Sequence, residues 1–265
     1  EIIGNTSGND GGGIFLSDGS YQIFNNTFTN NYATNDGGAI FTGFTSGIFR
    51  ENIITHNIAD GKGGGLYTSI VSNPFVNNVL YNNHAEGNGG GIYISSGTNS
   101  LSNNTIVNNS SNKAGGGIYL NSSSIAFNNN ILWNNKLFSE TNISGADLFF
   151  YNSANTCQNN ILQLNTTLYT GTHYSLGATA QGNLFTQNPM FLNIDNPQGE
   201  DSFYYTGDDG LRLQTNSPAL NAGTLTNAPE TDILGTTRDT QPDIGAYEHG
   251  VFVGIQPTPN NEPTI

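Results

Sequence analysis

The stretch Gly115-Gly116-Gly117-Ile118-Tyr119-Leu120 decides the fold, because the same phrase returns through the chain at a fixed distance. The aliphatic residue after the glycines recurs every 26 residues, with a last step of 30, at Ile14, Ile40, Leu66, Ile92, Ile118 and Leu148. A fixed period of this size in a sequence without helical patterning is typical of a solenoid. The repeat therefore predicts a solenoid of stacked coils.

Two asparagine columns keep the same period as the glycine phrase. They are Asn26, Asn52, Asn78, Asn104, Asn130 and Asn160, and Asn31, Asn57, Asn83, Asn109, Asn135 and Asn165. Stacked coils place each residue above its equivalent at a spacing of ~4.8 Å, so these asparagines can pass amide hydrogen bonds up the stack as an asparagine ladder. Apolar columns lie between them. We predict an all-β parallel β-helix of about seven coils of ~26 residues.

Two other solenoids fit the sequence less well. A leucine-rich repeat has a similar period but needs a Leu-rich convex segment, which this sequence lacks. A calcium-binding nonapeptide roll needs an Asp two residues beyond each glycine pair, where this chain places Phe or Tyr. The parallel β-helix is left as the interpretation.

Composition limits the possible partners. The 265 residues include 6 Lys+Arg against 20 Asp+Glu, giving a net charge of −14. A polyanion would be repelled by this field, so we expect no nucleic-acid partner. The sequence has no apolar run of about 18 residues, so we expect no membrane insertion by this segment. The single cysteine, Cys157, falls in an inward apolar column and is interpreted as a core residue.

The alternation of Gly37-Gly38-Ala39-Ile40 with Phe49-Arg50-Glu51-Asn52 resembles right-handed parallel β-helix repeat proteins. Pectate-lyase-like folds and bacterial polymorphic surface proteins belong to this group. The resemblance covers about residues 1–190. It implies a right-handed solenoid, but the group contains lyases, hydrolases, adhesins and phage proteins, so it does not fix an activity.

A second resemblance lies near the C-terminus, in Ser217-Pro218-Ala219-Leu220-Asn221-Ala222-Gly223 and Pro242-Asp243-Ile244-Gly245-Ala246-Tyr247-Glu248. These segments resemble the choice-of-anchor-type module of secreted bacterial β-helix proteins, which implies a segment that closes the solenoid. Asn221 stands where that family more often has Asp. We predict coils over 1–192, an irregular C-terminal capping module over 193–250 and a Pro/Thr/Asn linker over 251–265. Further coils or domains are expected on both sides.

An aromatic residue follows each aliphatic marker. If Ile118 points inward, alternation along a strand sends Tyr119 outward, and we expect Asp147 to share the outward parity. Such a row would offer a stacking platform for an extracellular glycan, with tyrosine hydroxyls as polar handles. Alternatively, the rings cover the neighbouring glycines or lie under the C-terminal segment. The candidate binding residues are Phe15, Phe41, Tyr67, Tyr93, Tyr119 and Phe149.

The acidic insert between residues 195 and 210 could coordinate Ca²⁺ through Asp201, Asp208 and Asp209, although it lacks the spacing of a known calcium loop. Asp10 and Asp36 share a column and could hold a cation, or be exposed corner residues. Arg238 is expected to pin the C-terminal module through a salt bridge with a nearby acid, since Asp232, Asp239 and Asp243 flank it in sequence.

These features favour a non-catalytic module of a secreted or cell-surface bacterial protein that serves in adhesion, glycan contact or as a stalk. No catalytic residue is assigned, and calcium is the only cofactor considered. An extracellular glycan or another surface protein is the expected partner. The alternative is a polysaccharide lyase or glycoside hydrolase of the β-helix type, whose active residues would lie in side loops or in upstream coils.

Overall fold

The computed structural model describes residues 1–43, 45–71, 74–138, 146–151, 154–163 and 180–250. Within these ranges the chain forms strands and turns and has no helix. The strands of successive coils pair in parallel and in register, as Ile92 does with Ile118. The predicted all-β parallel β-helix is confirmed. Asn165 and the proposed linker at 251–265 lie outside the described residues.

Three parallel sheets run along the solenoid. The strap sheet, named for the segment that covers it, consists of Ile2–Ile3, Thr27–Thr29, Ile53–Thr55, Val79–Tyr81, Thr105–Val107, Ile131–Trp133, Ile161–Leu162 and Leu184–Phe185. The short sheet consists of Thr6–Ser7, Tyr32–Ala33, Ile58–Ala59, His84–Ala85, Ser110–Ser111 and Lys136–Leu137. The long sheet consists of Ile14–Leu16, Gly19–Phe24, Ile40–Gly43, Thr45–Arg50, Leu66–Val71, Pro74–Val76, Ile92–Ser102, Ile118–Asn128, Leu148–Tyr151 and Ala154–Gln158.

The number of turns is slightly smaller than predicted. The short sheet has six strands, so the solenoid has about six turns rather than seven. The last winding contributes only Leu184–Phe185 to the strap sheet among the described residues.

The inside of the solenoid holds one continuous apolar cluster bordered by two asparagine ladders. At Asn104, Nδ2 donates to Oδ1 of Asn130 at 2.9 Å and to the carbonyl of Phe75 at 2.8 Å. Its own Oδ1 accepts the main-chain N–H of Asn78 at 2.9 Å. The same pattern recurs coil by coil, so each corner is held by the coil above it.

The glycine phrase forms the corner between the short and long sheets. Gly115 has a φ of 64°, a left-handed conformation that glycine adopts without strain. A Cβ on Gly116 would lie 2.3 Å from the carbonyl oxygen of Lys136. The phrase therefore repeats because the backbone of one coil passes too close to its neighbours for a side chain.

Residues 189–249, here called the strap, run along the outer face of the strap sheet. The hydroxyl oxygen of Tyr205 lies 3.0 Å from the carbonyl oxygen of Asn26, and Asn159 Nδ2 donates to the carbonyl of Ala222 at 2.8 Å. Asn26 belongs to an early (low) coil in the sequence and Asn159 to a late (high) one, so the strap contacts coils along the length of the solenoid. The segment predicted to close the end of the solenoid lies along its side instead.

The strap takes this position because the strap sheet is apolar on both faces. Inward residues such as Ile54 join the main core, while outward residues such as Ile53 and Val79 join a second cluster with the strap. That second cluster consists of Ile53, Val79, Tyr81, Val107, Ile131, Ile161, Phe191, Leu211, Leu213, Ala219, Ile233, Ile244, Ala246 and Tyr247. A sheet with two apolar faces requires cover on both.

Candidate functional site

The six predicted aromatics form one stacked column along the outside of the long sheet. They lie outside the core cluster, which contains their neighbours Ile118 and Leu120. Consecutive ring centroids are 5.0, 4.8, 5.1, 5.2 and 5.0 Å apart, and consecutive planes differ by 6°, 6°, 10°, 7° and 18°. The structure thus brings together Phe15, Phe41, Tyr67, Tyr93, Tyr119 and Phe149, hereafter the ring column.

The ring column is more enclosed in its middle than at its lower end. Phe15 is 51% exposed and Tyr93 only 4% exposed. The Nζ of Lys62 lies 5.1 Å from the Tyr93 ring centroid, a cation–π contact, and Asn121 Nδ2 lies 3.3 Å from the Tyr93 hydroxyl. Burial raises the pKa of Tyr67 to about 12, with a smaller contribution from Asp36, so its hydroxyl stays protonated at neutral pH.

The geometry changes what the ring column can offer a ligand. A sugar stacks on the face of an aromatic ring, but here the faces are stacked on one another. Only Phe15 and Phe149, at the two ends, have a face not stacked on another member. Along its length the column presents ring edges and the partly exposed side chains of Tyr67 and Tyr119, while Tyr93 is buried. Glycan binding by the ring column stays a prediction.

The acidic insert is an ordered part of the strap. Asp208 Oδ2 accepts the main-chain N–H of Glu200 at 2.6 Å, and Asp208 Oδ1 accepts the Thr206 hydroxyl at 2.7 Å. The Thr206 hydrogen bond is the main cause of the lowered pKa of Asp208. Asp201 Oδ1 accepts the N–H of Phe203 at 2.8 Å. These carboxylates fix the loop by receiving its N–H and O–H groups.

Asp209 has a different environment from the other two acids of the insert. It is fully buried and accepts the Tyr247 hydroxyl at 3.0 Å and the N–H of Tyr205 at 3.2 Å. Burial raises its pKa to about 7. Among the described residues, no three His, Cys, Asp or Glu side chains form a group that could hold a metal ion. Calcium binding by Asp201, Asp208 and Asp209 stays a prediction.

Arg238 fastens the strap to the solenoid through a buried ion pair. Its NH1 lies 2.8 Å from Glu248 Oε2, and its NH2 donates to Asn77 Oδ1 at 3.0 Å and to the carbonyl of Gly245 at 2.9 Å. Burial lowers the pKa of Arg238, and the Glu248 carboxylate opposes that shift. The salt bridge was correctly anticipated, but its partner is Glu248 and not one of the flanking aspartates.

Asp147 was expected to point outward, and that prediction is wrong. The side chain is 1% exposed, and its Oδ1 accepts Nδ2 of Asn135 at 2.9 Å, so it takes the next place in the second ladder. Its Oδ2 has no hydrogen-bond partner, and burial raises its pKa to about 7. Alternation does not extend back to Asp147 because the strand begins at Leu148 and Asp147 belongs to the corner.

The remaining candidates have structural partners. Asp10 Oδ1 accepts the main-chain N–H of Asp36 at 3.0 Å, and Asp36 Oδ1 accepts the N–H of Lys62 at 2.7 Å, so this pair continues as a corner ladder. Burial is the main cause of the raised pKa of Asp36. Cys157 lies in the core as predicted, and burial raises the pKa of its thiol to about 12.

A row of outward asparagines holds the strap and was not predicted from the sequence. Asn77, Asn103, Asn129 and Asn159 each have a positive φ and precede a ladder asparagine. Asn77 Nδ2 donates to the carbonyl of Thr231 at 2.7 Å, and Asn129 Nδ2 donates to that of Thr224 at 2.7 Å. The signal was the Asn-Asn doublet itself: one member turns inward to the ladder, while the other adopts the left-handed conformation and faces out.

Comparison with protein families agrees with this architecture. A family model described as a right-handed beta helix region matches residues 1–160, which are more than half of the chain. The chain therefore belongs to the right-handed β-helix family. A comparison with curated proteins gave no match. No helix in the described residues is long and apolar enough to span a bilayer.

Proposed function

We propose that the chain is a rigid, non-catalytic module of a secreted or cell-surface bacterial protein, which holds a contact surface for an extracellular glycan or another surface protein. Within the β-helix family, we place it near pectate-lyase-like and polymorphic surface-protein-like repeats, with a strap of the choice-of-anchor type. The observation that carries the proposal is the unbroken stacking of like residues along the solenoid.

Three features of the structure support a scaffold role: the stacked columns, the length of the solenoid and the strap along its side. Both asparagine ladders run through successive coils, and the ring column follows them on the outside. Six coils at ~4.8 Å give a rod about 30 Å long. The strap then ties low and high coils together at Asn26 and Asn159. Such a rod resists bending and can present other groups at fixed distances.

Two experiments test the proposal, one for catalytic turnover and one for cellular location. The protein is incubated with uronate and neutral polysaccharides while unsaturated-product absorbance and reducing ends are followed. We expect no turnover. In parallel, antibodies raised against this chain are applied to intact and to lysed cells of the source organism, and we expect equal labelling of both.

Two outcomes would contradict the proposal. Turnover that disappears when a single acid is replaced would establish a polysaccharide lyase or hydrolase instead of a scaffold. Labelling of lysed cells alone would place the chain inside the cell and remove the surface role. An inert variant such as Asp18→Asn, which changes an exposed acid, serves as the matched control for any acid substitution.

A further inference from the structure

A cleft of about 690 Å³ lies between the strap loop around Phe203 and the first coils of the solenoid. Its floor is the outer face of the strap sheet at Thr27, Thr29 and Thr55, and Asn25, Asn30 and His56 stand at the corners. The opposite wall is the strap loop with Gln198, Ser202, Phe203, Tyr204 and Tyr205, and Glu1 and Ile3 complete the lining. This volume lies within the range of about 300–1,000 Å³ that holds small-molecule ligands.

The floor of the cleft differs from the rest of the same sheet. The two outward rows of the strap sheet, read from low to high coils, are Thr27, Ile53, Val79, Thr105, Ile131 and Ile161, and Ile3, Thr29, Thr55, Tyr81, Val107 and Trp133. From Val79 and Tyr81 upward most members are apolar and packed under the strap. Beside the cleft the outward residues are instead Thr27, Thr29 and Thr55. Thr27 and Thr55 are buried, so Thr29 is the floor threonine that a ligand can reach.

The wall presents one aromatic ring to solvent on an ordered loop. Phe203 is 67% exposed, although its N–H is fixed by Asp201 at 2.8 Å. The next two residues anchor the loop: the hydroxyl oxygen of Tyr205 lies 2.9 Å from the carbonyl oxygen of Glu51, and burial raises the pKa of Tyr204 to about 12. The main chain that carries the exposed ring is therefore held in place.

The charge of the cleft selects among ligands. The only charged side chain in the lining is Glu1, because desolvation lowers the pKa of His56 and keeps its imidazole neutral at neutral pH. No lysine or arginine lines the cleft. An anionic ligand would find no cationic side chain here and would also meet a chain of net charge −14.

We propose that this cleft binds a short, uncharged oligosaccharide. The Phe203 ring stacks on the apolar face of one sugar. The hydroxyl of Thr29 and the exposed amides of Asn25 and Asn30 both donate to and accept from sugar hydroxyls. The inference rests on the glycan-contact part of the proposed function and not on its scaffold part. It places binding at the cleft and not on the ring column.

The test is calorimetric titration of the chain with maltotriose, cellotriose, xylotriose, mannotriose and chitotriose, with trigalacturonate as the anionic comparison. We expect at least one neutral trisaccharide to bind and trigalacturonate not to bind. Phe203→Ala should weaken binding about tenfold or more. Thr29→Val, which removes one floor hydroxyl at nearly constant volume, should weaken it about threefold or more.

Two further variants use other exposed phenylalanines. Phe138→Ala removes a ring that is 62% exposed and away from the cleft, and Phe15→Ala removes the open end of the ring column. The Phe138→Ala variant is the control and should bind as the parent does, whereas Phe15→Ala decides between the cleft and the ring column. Circular dichroism melting confirms that each variant is folded. If Phe15→Ala abolishes binding and Phe203→Ala does not, the glycan site is the ring column and the cleft proposal is overturned.

The remaining outcomes also decide the matter. Binding of trigalacturonate in preference to every neutral sugar would overturn the argument from charge. Absence of binding by any probe at millimolar concentration would overturn the cleft proposal, while the scaffold role would still stand or fall on the cell-labelling experiment.

Discussion

The two outer faces of the solenoid satisfy their side chains in different ways. On the long sheet, each ring of the ring column packs on the equivalent ring of the coil above and the coil below. On the strap sheet, outward Ile53 and Val79 find their partners in a segment more than a hundred residues away in sequence. One face is completed by repetition and the other by a single distant segment.

The difference shows where the structure is redundant. A repeated contact is made many times, so losing one member affects two neighbours. The strap makes each of its contacts once, and several of them converge on Arg238, which reaches Glu248, Asn77 and Gly245. We therefore expect substitution of Arg238 to destabilise the whole strap-covered face, and substitutions within the stacked columns to destabilise only their neighbours.

The largest expected effect comes from Arg238→Met, which removes the buried ion pair that fastens the strap to the solenoid. Removing one partner leaves the Glu248 carboxylate buried without a counter-charge, and we expect a loss of about 3–5 kcal/mol in unfolding free energy. Urea unfolding followed by circular dichroism gives the value. The double variant Arg238→Met, Glu248→Leu should recover part of the loss. A single variant as stable as the parent would show that the strap does not depend on this pair.

The adjacent residues Asn103 and Asn104 compare the two kinds of contact at one corner, because Asn103 bonds to the strap and Asn104 belongs to the asparagine ladder. Asn104→Ala removes several buried hydrogen bonds of the ladder and should cost about 3–4 kcal/mol. Asn103 faces the strap with longer bonds, 3.2 Å to the carbonyl of Asp243 and 3.4 Å to that of Gly245. Asn103→Ala should cost about 1–2 kcal/mol, much of it from the left-handed backbone. Equal losses in thermal unfolding would contradict this division.

The stability of the solenoid is also expected to depend on pH, through Asp147 at the upper end of the second asparagine ladder. The native pKa of Asp147 is about 7, above its ordinary value of 3.8, so the native state binds this proton more tightly than the unfolded chain. The associated stability is complete below about pH 4 and is lost as pH rises to about 7. Asp147→Asn should be more stable than the parent at pH 8, by on the order of 3 kcal/mol.

The control for this prediction is the same pair of proteins at pH 4, where the difference should largely disappear. Asp209, whose pKa burial also raises to about 7, keeps part of the pH dependence in both proteins. Urea unfolding at several pH values measures the difference. A constant difference between pH 4 and pH 8 would show that Asp147 does not carry the proton.

The sequence predicts what repeats, for a physical reason. In-register stacking turns a period of 26 residues into vertical columns, so both asparagine ladders and the ring column follow from spacing alone. Asp147 was misplaced because a corner residue does not obey strand alternation. The lateral position of the strap and the cleft beneath it occur once, so no period reveals them. The apolar outward row at Ile53 and Val79, beside Thr29 and Thr55, was the available signal.

The smallest expected effect concerns the position of a ring within the ring column. Tyr93 has a stacked ring on each side, while Phe15 has one and is half exposed. Each stacked pair contributes about 0.5–1.5 kcal/mol beyond burial, so Tyr93→Leu should cost about 2 kcal/mol and Phe15→Leu less than about 1 kcal/mol. Urea unfolding of both variants measures the difference. Equal losses would mean that the rings contribute by covering the strand beneath each of them and not by stacking, and the two faces of the solenoid would then be stabilised in the same way.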